Sequence, residues 1–273
     1  MKKPTLVLLL ALAGCATTVP TLAPQRIAEI VAAADRTPAD RTNDQRRQPE
    51  KMLAFIGLRP GMVALDVSAG GGYTSELLAR GIGPAGRVYG QSQPRDPSRA
   101  TPTPAAPEGG AAPPPAAPAA PPRTSAMALA ARQERLQAAG VAAAPIVAVA
   151  QRFDDPVPAA LADGQLDLVT LMFNYHDLGF MGVDRDGMNR ALFRALKPGG
   201  VYVIADHAGR PGTGISESGT LHRIEEAFLR REVEAAGFRL AAEGQFLRNP
   251  ADARDQNSPP MPKDEFVLKF VKP

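Results

Sequence analysis

The 273-residue chain has no tryptophan, one cysteine and three histidines, and aromatic residues make up only 5% of it. A lone thiol cannot close a disulfide within the chain, so an apolar core must hold the fold. Aromatic side chains are too few, and Lys and Arg too scattered, to lay a basic stacking track for nucleic acid, and the formal charge is only +3. The pairs Arg46-Arg47 and Arg230-Arg231 sit among acids and read as solvated surface. No nucleic-acid partner is therefore expected. What is plentiful is apolar residues, 44% of the chain, enough for one sizeable α/β domain.

The cysteine is informative through its position. Met1-Lys2-Lys3 gives a positive start, residues 6–13 form an apolar run too short to span a bilayer, and Leu12-Ala13-Gly14-Cys15 closes it. These four residues resemble a bacterial lipobox, which implies a signal peptide over 1–14 and a lipidated Cys15 as membrane anchor. Ala16 in place of an aspartate implies the outer membrane of the cell envelope. Residues 15–23 read as a tether and 24–273 as the folded domain.

Proline near their starts and helical apolar spacing predict helices over 24–34 and 49–57. The run 62–67 reads as a strand, followed at once by glycines and a helix over 73–80. A second strand spans 87–90. From Ser92 to Pro122 the composition shifts to Pro, Ala and Gly, with eleven prolines between Pro94 and Pro122. This reads as a disordered insertion within the domain, because the α/β rhythm then resumes. A helix over 125–139, strands at 146–150 and 165–173, a helix over 186–196, a strand at 201–205, a helix over 222–236 and final strands at 238–247 and 265–271 complete the pattern. The expected fold class is therefore α/β: a doubly wound, Rossmann-like seven-strand sheet, mostly parallel, with helices on both faces and an antiparallel last strand.

A strand end followed by glycines and a helix leaves backbone N–H groups facing a crevice. The segment Asp66-Val67-Ser68-Ala69-Gly70-Gly71-Gly72, the turn Leu196-Lys197-Pro198-Gly199-Gly200 and Asp167-Leu168-Val169 resemble the motifs of class I S-adenosylmethionine-dependent methyltransferases over about residues 50–273. The pattern looks closest to a bacterial predicted-methyltransferase group with an Asn-Tyr-His-Asp segment and an Asp-His pair. The resemblance implies S-adenosylmethionine as cofactor. It places Asp66 near the methionine amino group and Gly70 and Gly72 beside the methionine and ribose, with Ser68 standing where a glycine is usual. Gln91 occupies the place of the acid that accepts the ribose hydroxyls, and Asp154 that of the adenine contact. Asn174 lies just past the fourth strand.

All three histidines fall near loops expected on the ligand side. His176 beside Asp177, and His207 beside Asp206, end up on neighbouring strands, where either imidazole can take a proton from an acceptor hydroxyl, amine or thiol. Each Asp orients its own neighbour or the opposite His. His176, Asp177 and His207 are the expected catalytic set. Three His and two Asp would suffice for zinc, but no tight His spacing occurs, so no metal is expected. The reading is a methyltransferase acting on a small-molecule acceptor. The alternative is a non-catalytic envelope lipoprotein that keeps the fold, since the cofactor is made in the cytoplasm.

Overall fold

The computed structural model describes residues 20–94 and 124–273. The signal segment, Cys15 and nearly all of the Pro/Ala-rich insertion lie outside the described residues. Residues 20–23, read as the end of a tether, lie against the domain, with Leu22 N–H donating to the Leu58 carbonyl at 2.8 Å. Among the described residues no helix is long and apolar enough to cross a membrane.

Three short helices lead in: α1 (Pro24–Ala32), α2 (Pro38–Arg47) and α3 (Pro49–Ile56), each with proline at its first turn, where the missing N–H costs nothing. The Thr37 hydroxyl caps α2 by accepting from Asp40 N–H at 3.1 Å. Gln48, in the left-handed region at φ 43°, ends α2 and starts α3. Helix α2 was not legible in the sequence, because it carries no apolar stripe.

The sheet follows with β1 (Val63–Val67), α4 (Tyr73–Ile82), β2 (Arg87–Ser92), α5 (Ser125–Ala138), β3 (Ile146–Ala150) and β4 (Leu166–Met172). A single-turn α6 (Tyr175–Phe180), α7 (Arg185–Ala195), β5 (Leu196–His207), α8 (Glu226–Ala235), β6 (Arg239–Gly244) and β7 (Glu265–Val271) complete the chain. The strand order is β3-β2-β1-β4-β5-β7-β6. The first five strands run parallel, and β7 is antiparallel to both β5 and β6, as the expected fold class requires. The order reverses between β1 and β4, which opens a crevice at their carboxyl ends.

Two apolar clusters sandwich the sheet. Leu65, Val67, Val169, Leu171, Tyr202 and Ile204 face one side, with side chains of α7 and α8. Ala64, Leu168, Met172, Val203 and Ala205 face the other, with α1, α3, α4 and α5. Neighbouring residues thus alternate between two covered faces, so the central strands are mostly apolar on both. Each Val, Leu, Ile or Met side chain among them that is fully removed from water contributes about 1.5–3 kcal/mol.

His222 departs from expectation. Helix α8 begins only at Glu226, and His222 stands in the preceding loop at φ 51°. Its neighbour Arg223 anchors that loop: it is fully buried, pairs with Asp252 at 2.9 Å and donates to the Ala208 carbonyl at 3.0 Å.

Candidate functional site

Asp66 is the fourth residue of β1 and is buried at the crevice floor. Its Oδ2 accepts from the Ser75 hydroxyl at 2.6 Å and its Oδ1 from the Thr170 hydroxyl at 2.8 Å. Burial pushes its carboxyl up to about 6, against these two hydrogen bonds and the nearby Arg47 cation, which hold it down.

Beyond Asp66 the chain turns tightly. Ser68 adopts φ 59°, a region a non-glycine residue occupies only when its surroundings impose it. Here Ser68 N–H donates to Gln91 Oε1 at 3.0 Å and Ser68 Oγ to Asn174 Oδ1 at 2.7 Å. The three glycines divide their work. A Cβ at Gly71 would meet no atom within 4 Å, and one at Gly70 only the Ser68 carbonyl at 3.9 Å, so their backbone lines open space. Gly72 instead packs on α5, and a Cβ there would lie 2.8 Å from both Leu129 and Arg132. Gly72 is thus required by helix packing, whereas the resemblance implied that it faces the cofactor.

Gln91 is fully buried, and both ends of its amide are used: Oε1 on Ser68 and Nε2 on the Gln151 carbonyl at 2.7 Å. It ties the ends of β1, β2 and β3 together below the turn. Asp154 pairs with Arg152 and accepts from Asp184 N–H at 3.0 Å, which joins the end of β3 to the start of α7. The adjacent Arg152 guanidinium holds its carboxyl below the usual carboxylate range.

The histidines do converge. At the end of β4, Phe173 takes φ 59° and reverses the chain into α6, so Asn174, His176 and Asp177 share one helical turn. The pairing is crosswise. His176 Nδ1 lies 2.6 Å from Oδ1 of the fully buried Asp206, and His176 N–H donates to Asp206 Oδ2 at 2.8 Å. His176 Nε2 stands 3.2 Å from Asp177 Oδ1, and that same oxygen is 2.8 Å from His222 Nδ1. Asn174 Nδ2 donates to the other oxygen, Asp177 Oδ2, at 2.8 Å. A continuous chain of polar contacts therefore runs from Gln91 through Ser68, Asn174 and Asp177 to His176 and His222. Burial alone would depress the His176 imidazole, but Asp206 and Asp177 outweigh it and raise it to about 10. His176 is then a cation at neutral pH in this state.

His207 is buried beside His176, its ring centroid 5.3 Å from that of His176 and its Nδ1 3.0 Å from Glu265 Oε1. Burial pushes Glu265 up to about 7, while the Arg46 guanidinium, 2.9 Å away, opposes it. Tyr175 is core: its phenol donates to Glu232 and accepts from Asn189. The 209–219 segment is tied to the domain through Gly209 N–H on the Ile224 carbonyl and Glu225 N–H on the Gly214 carbonyl.

Arg46 and Arg47 correct the expectation of solvated surface. They form the last turn of α2, and both guanidinium groups stack on Phe173, each 4.8 Å from the ring centroid. Arg47 also lies 5.2 Å from the Tyr73 ring centroid, and its Nε is buried with no hydrogen-bond partner. Burial lowers its affinity for the proton, and Arg46 beside it adds to this. Beneath it lies a small apolar recess of about 20 Å³, lined by Met52, Leu53, Tyr73, Leu77, Met172 and Phe173 among others. No sequence signal marked these arginines, because α2 shows no face that must turn inward.

Comparison with solved structures shows the same fold in methyltransferases. The chain is similar to a SAM-dependent methyltransferase from Aquifex aeolicus, at 17% identity over 92% of this chain and 100% of that one, with a TM-score of 0.54. It is similar to the arsenic(III) S-adenosylmethionine methyltransferase CrArsM from Chlamydomonas reinhardtii, at 15% identity over 78% and 64% of the two chains, with a TM-score of 0.50. The cyclase SpnF also shares the fold, at 16% identity, 83% and 82% coverage and a TM-score of 0.51. No protein-family model and no curated protein matches the chain. The sheet is thus the seven-strand, Rossmann-like methyltransferase fold, and at these identities the likeness speaks for the fold alone.

Proposed function

We propose that this chain is an S-adenosylmethionine-dependent methyltransferase with a small-molecule acceptor. The observation that carries the reading is the pair of opposite charges beside an open glycine cradle. Asp66 suits an ammonium, the unpaired Nε of Arg47 suits a carboxylate, and the backbone at Gly70 and Gly71 leaves room between strand and helix. Those are the recognition elements for the amino-acid end of the methyl donor. When bound, S-adenosylmethionine supplies a sulfonium methyl group for in-line displacement by the acceptor.

The residues of this chain contribute chiefly by positioning, which suffices for large accelerations in such a displacement. Ser68 and Asn174 lock the cradle to the histidine cluster, so donor and acceptor sites are held in one rigid frame. On this reading His176, Asp177 and His207 wall the acceptor side. The half-exposed His222, hydrogen-bonded to Asp177, completes that side. The neighbouring folds that are named methyltransferases support this assignment, and the cyclase shows why fold likeness cannot replace an assay.

Isothermal titration of the folded protein with S-adenosylmethionine tests it. One site per chain is expected. A silent titration across pH and salt, with the protein folded by circular dichroism, overturns it and leaves the scaffold reading standing.

We also infer an envelope location with a lipid anchor at Cys15, supported by Lys2, Lys3, the apolar run and the Leu12-Ala13-Gly14-Cys15 box. Fatty-acid labelling that Cys15→Ser fails to abolish would refute the anchor.

A further inference from the structure

We propose that His176, Asp177 and His222 form a binding site for a divalent transition-metal ion of the zinc type. His176 Nε2, an oxygen of Asp177 and a ring nitrogen of His222 lie within 4.8 Å of one another, and Asp177 Oδ1 is 3.2 Å and 2.8 Å from the two imidazole nitrogens. Ligands bound to zinc at 2.0–2.1 Å with tetrahedral angles stand about 3.3 Å apart, close to both Asp177 distances.

The surroundings are those a metal site requires. A ligating imidazole is usually fixed by an acceptor on its other nitrogen, and a ligating carboxylate by a donor on its other oxygen. Both are present. Asp206 holds His176 Nδ1 at 2.6 Å, so Nε2 takes the ion as it releases its proton to solvent, and Asn174 holds Asp177 Oδ2 at 2.8 Å, which leaves Oδ1. Asp206 has no solvent exposure and pairs with His176, so once His176 is neutral as a ligand a 2+ ion balances the two carboxylates. The His222 side chain is 40% exposed, which gives the ion a path in from solvent.

The donor set decides the ion. Two imidazole nitrogens and one carboxylate suit zinc, cobalt(II) or iron(II), whereas magnesium and calcium demand oxygen ligands. Three protein ligands leave a coordination position open, as in catalytic rather than structural zinc sites. That position would hold the heteroatom of an acceptor, and this role, unlike the ion site itself, rests on the methyl-transfer reading. The sequence alone could not suggest the trio, because His222 lies 45 residues from Asp177 and reaches it only through the Arg223-anchored loop.

The test uses the untagged chain, stripped by dialysis against chelator and titrated with zinc(II), cobalt(II) and magnesium. One zinc per chain is expected, with the visible absorption of four- or five-coordinate cobalt(II) and no magnesium heat. His222→Asn, which tolerates the left-handed backbone, should weaken zinc at least about 100-fold, and Asp206→Asn, which reaches the ion through His176, roughly 10- to 100-fold. Asp154→Asn should leave zinc affinity unchanged. Absent zinc binding in the folded parent, or parental affinity in His222→Asn with an unchanged melting profile, overturns the proposal. S-adenosylmethionine titrated into the same samples separates the two ideas: zinc binding without cofactor binding refutes the methyltransferase reading and keeps the ion site.

Discussion

Replacing the glycines of the crevice one at a time separates binding from packing. Gly72→Ala keeps φ at 76° and drives a Cβ to 2.8 Å from Leu129 Cδ2 and Arg132 Cδ. The left-handed conformation costs an alanine roughly 1–2 kcal/mol, and forcing a methyl into filled space costs about 1–3 kcal/mol more. Arg132 cannot swing aside cheaply, because its guanidinium holds Asp40 at 2.7 Å and Glu76 at 2.6 Å. The total, about 2–5 kcal/mol, should lower the melting temperature by on the order of 10 °C for a domain of this size. Gly71→Ala is the contrast. Its φ is not positive and a Cβ there meets nothing within 4 Å, so stability should move by less than about 0.5 kcal/mol. The methyl would instead occupy the cradle, and S-adenosylmethionine affinity should fall about 10-fold or more, which is about 1.4 kcal/mol. Thermal unfolding and calorimetric titration of both purified variants provide the comparison. If Gly71→Ala melts far below the parent while Gly72→Ala does not, the division of roles is wrong.

Three further outcomes follow from the site. Gln91→Glu should destabilise the fold by more than about 2 kcal/mol in urea denaturation, because a carboxylate would face the Gln151 carbonyl in a fully buried position; unchanged stability with tighter cofactor binding would restore its ribose role. Asp66 and Glu265 are raised to about 6 and about 7 from 3.8 and 4.5, so the folded protein holds protons that the unfolded chain has released. Stability should therefore fall as pH rises from about 4 to about 7, with Glu265 contributing on the order of 3 kcal/mol, and Glu265→Gln should flatten that slope in denaturation series. Arg47→Met keeps an unbranched side chain over Tyr73 and Phe173 while removing the cation, so melting should change little and S-adenosylmethionine affinity should drop at least about 10-fold; equal affinity would dissociate Arg47 from the cofactor.

The local grammar of the chain was readable. Buried parallel strands need apolar residues on both faces, glycines cluster where a strand must turn into a helix, and proline opens helices, so β1, β4, β5 and the turn after β1 stood out. Asp66 and the 174–177 segment were legible for the same reason: they follow strand ends, and ligand crevices form there. The contacts of Gln91 and Gly72 were not. A motif position gives a residue type, but whether its side chain faces the crevice or a neighbouring helix depends on how α5 and β3 pack, which no local pattern encodes.

The chain by itself determined that seven strands and their helices would wind into one layered sheet, because periodicity and turn chemistry are local properties written residue by residue. Only the tertiary structure decided what the site consists of. It brought Arg46 and Arg47 from a featureless helix over Phe173, paired His176 of α6 with Asp206 of β5, and delivered His222 to Asp177 from a loop fixed by the buried Arg223. Contacts between charges distant in sequence are set by packing geometry and by the cost of burying them unpaired, and both exist only once the chain has folded.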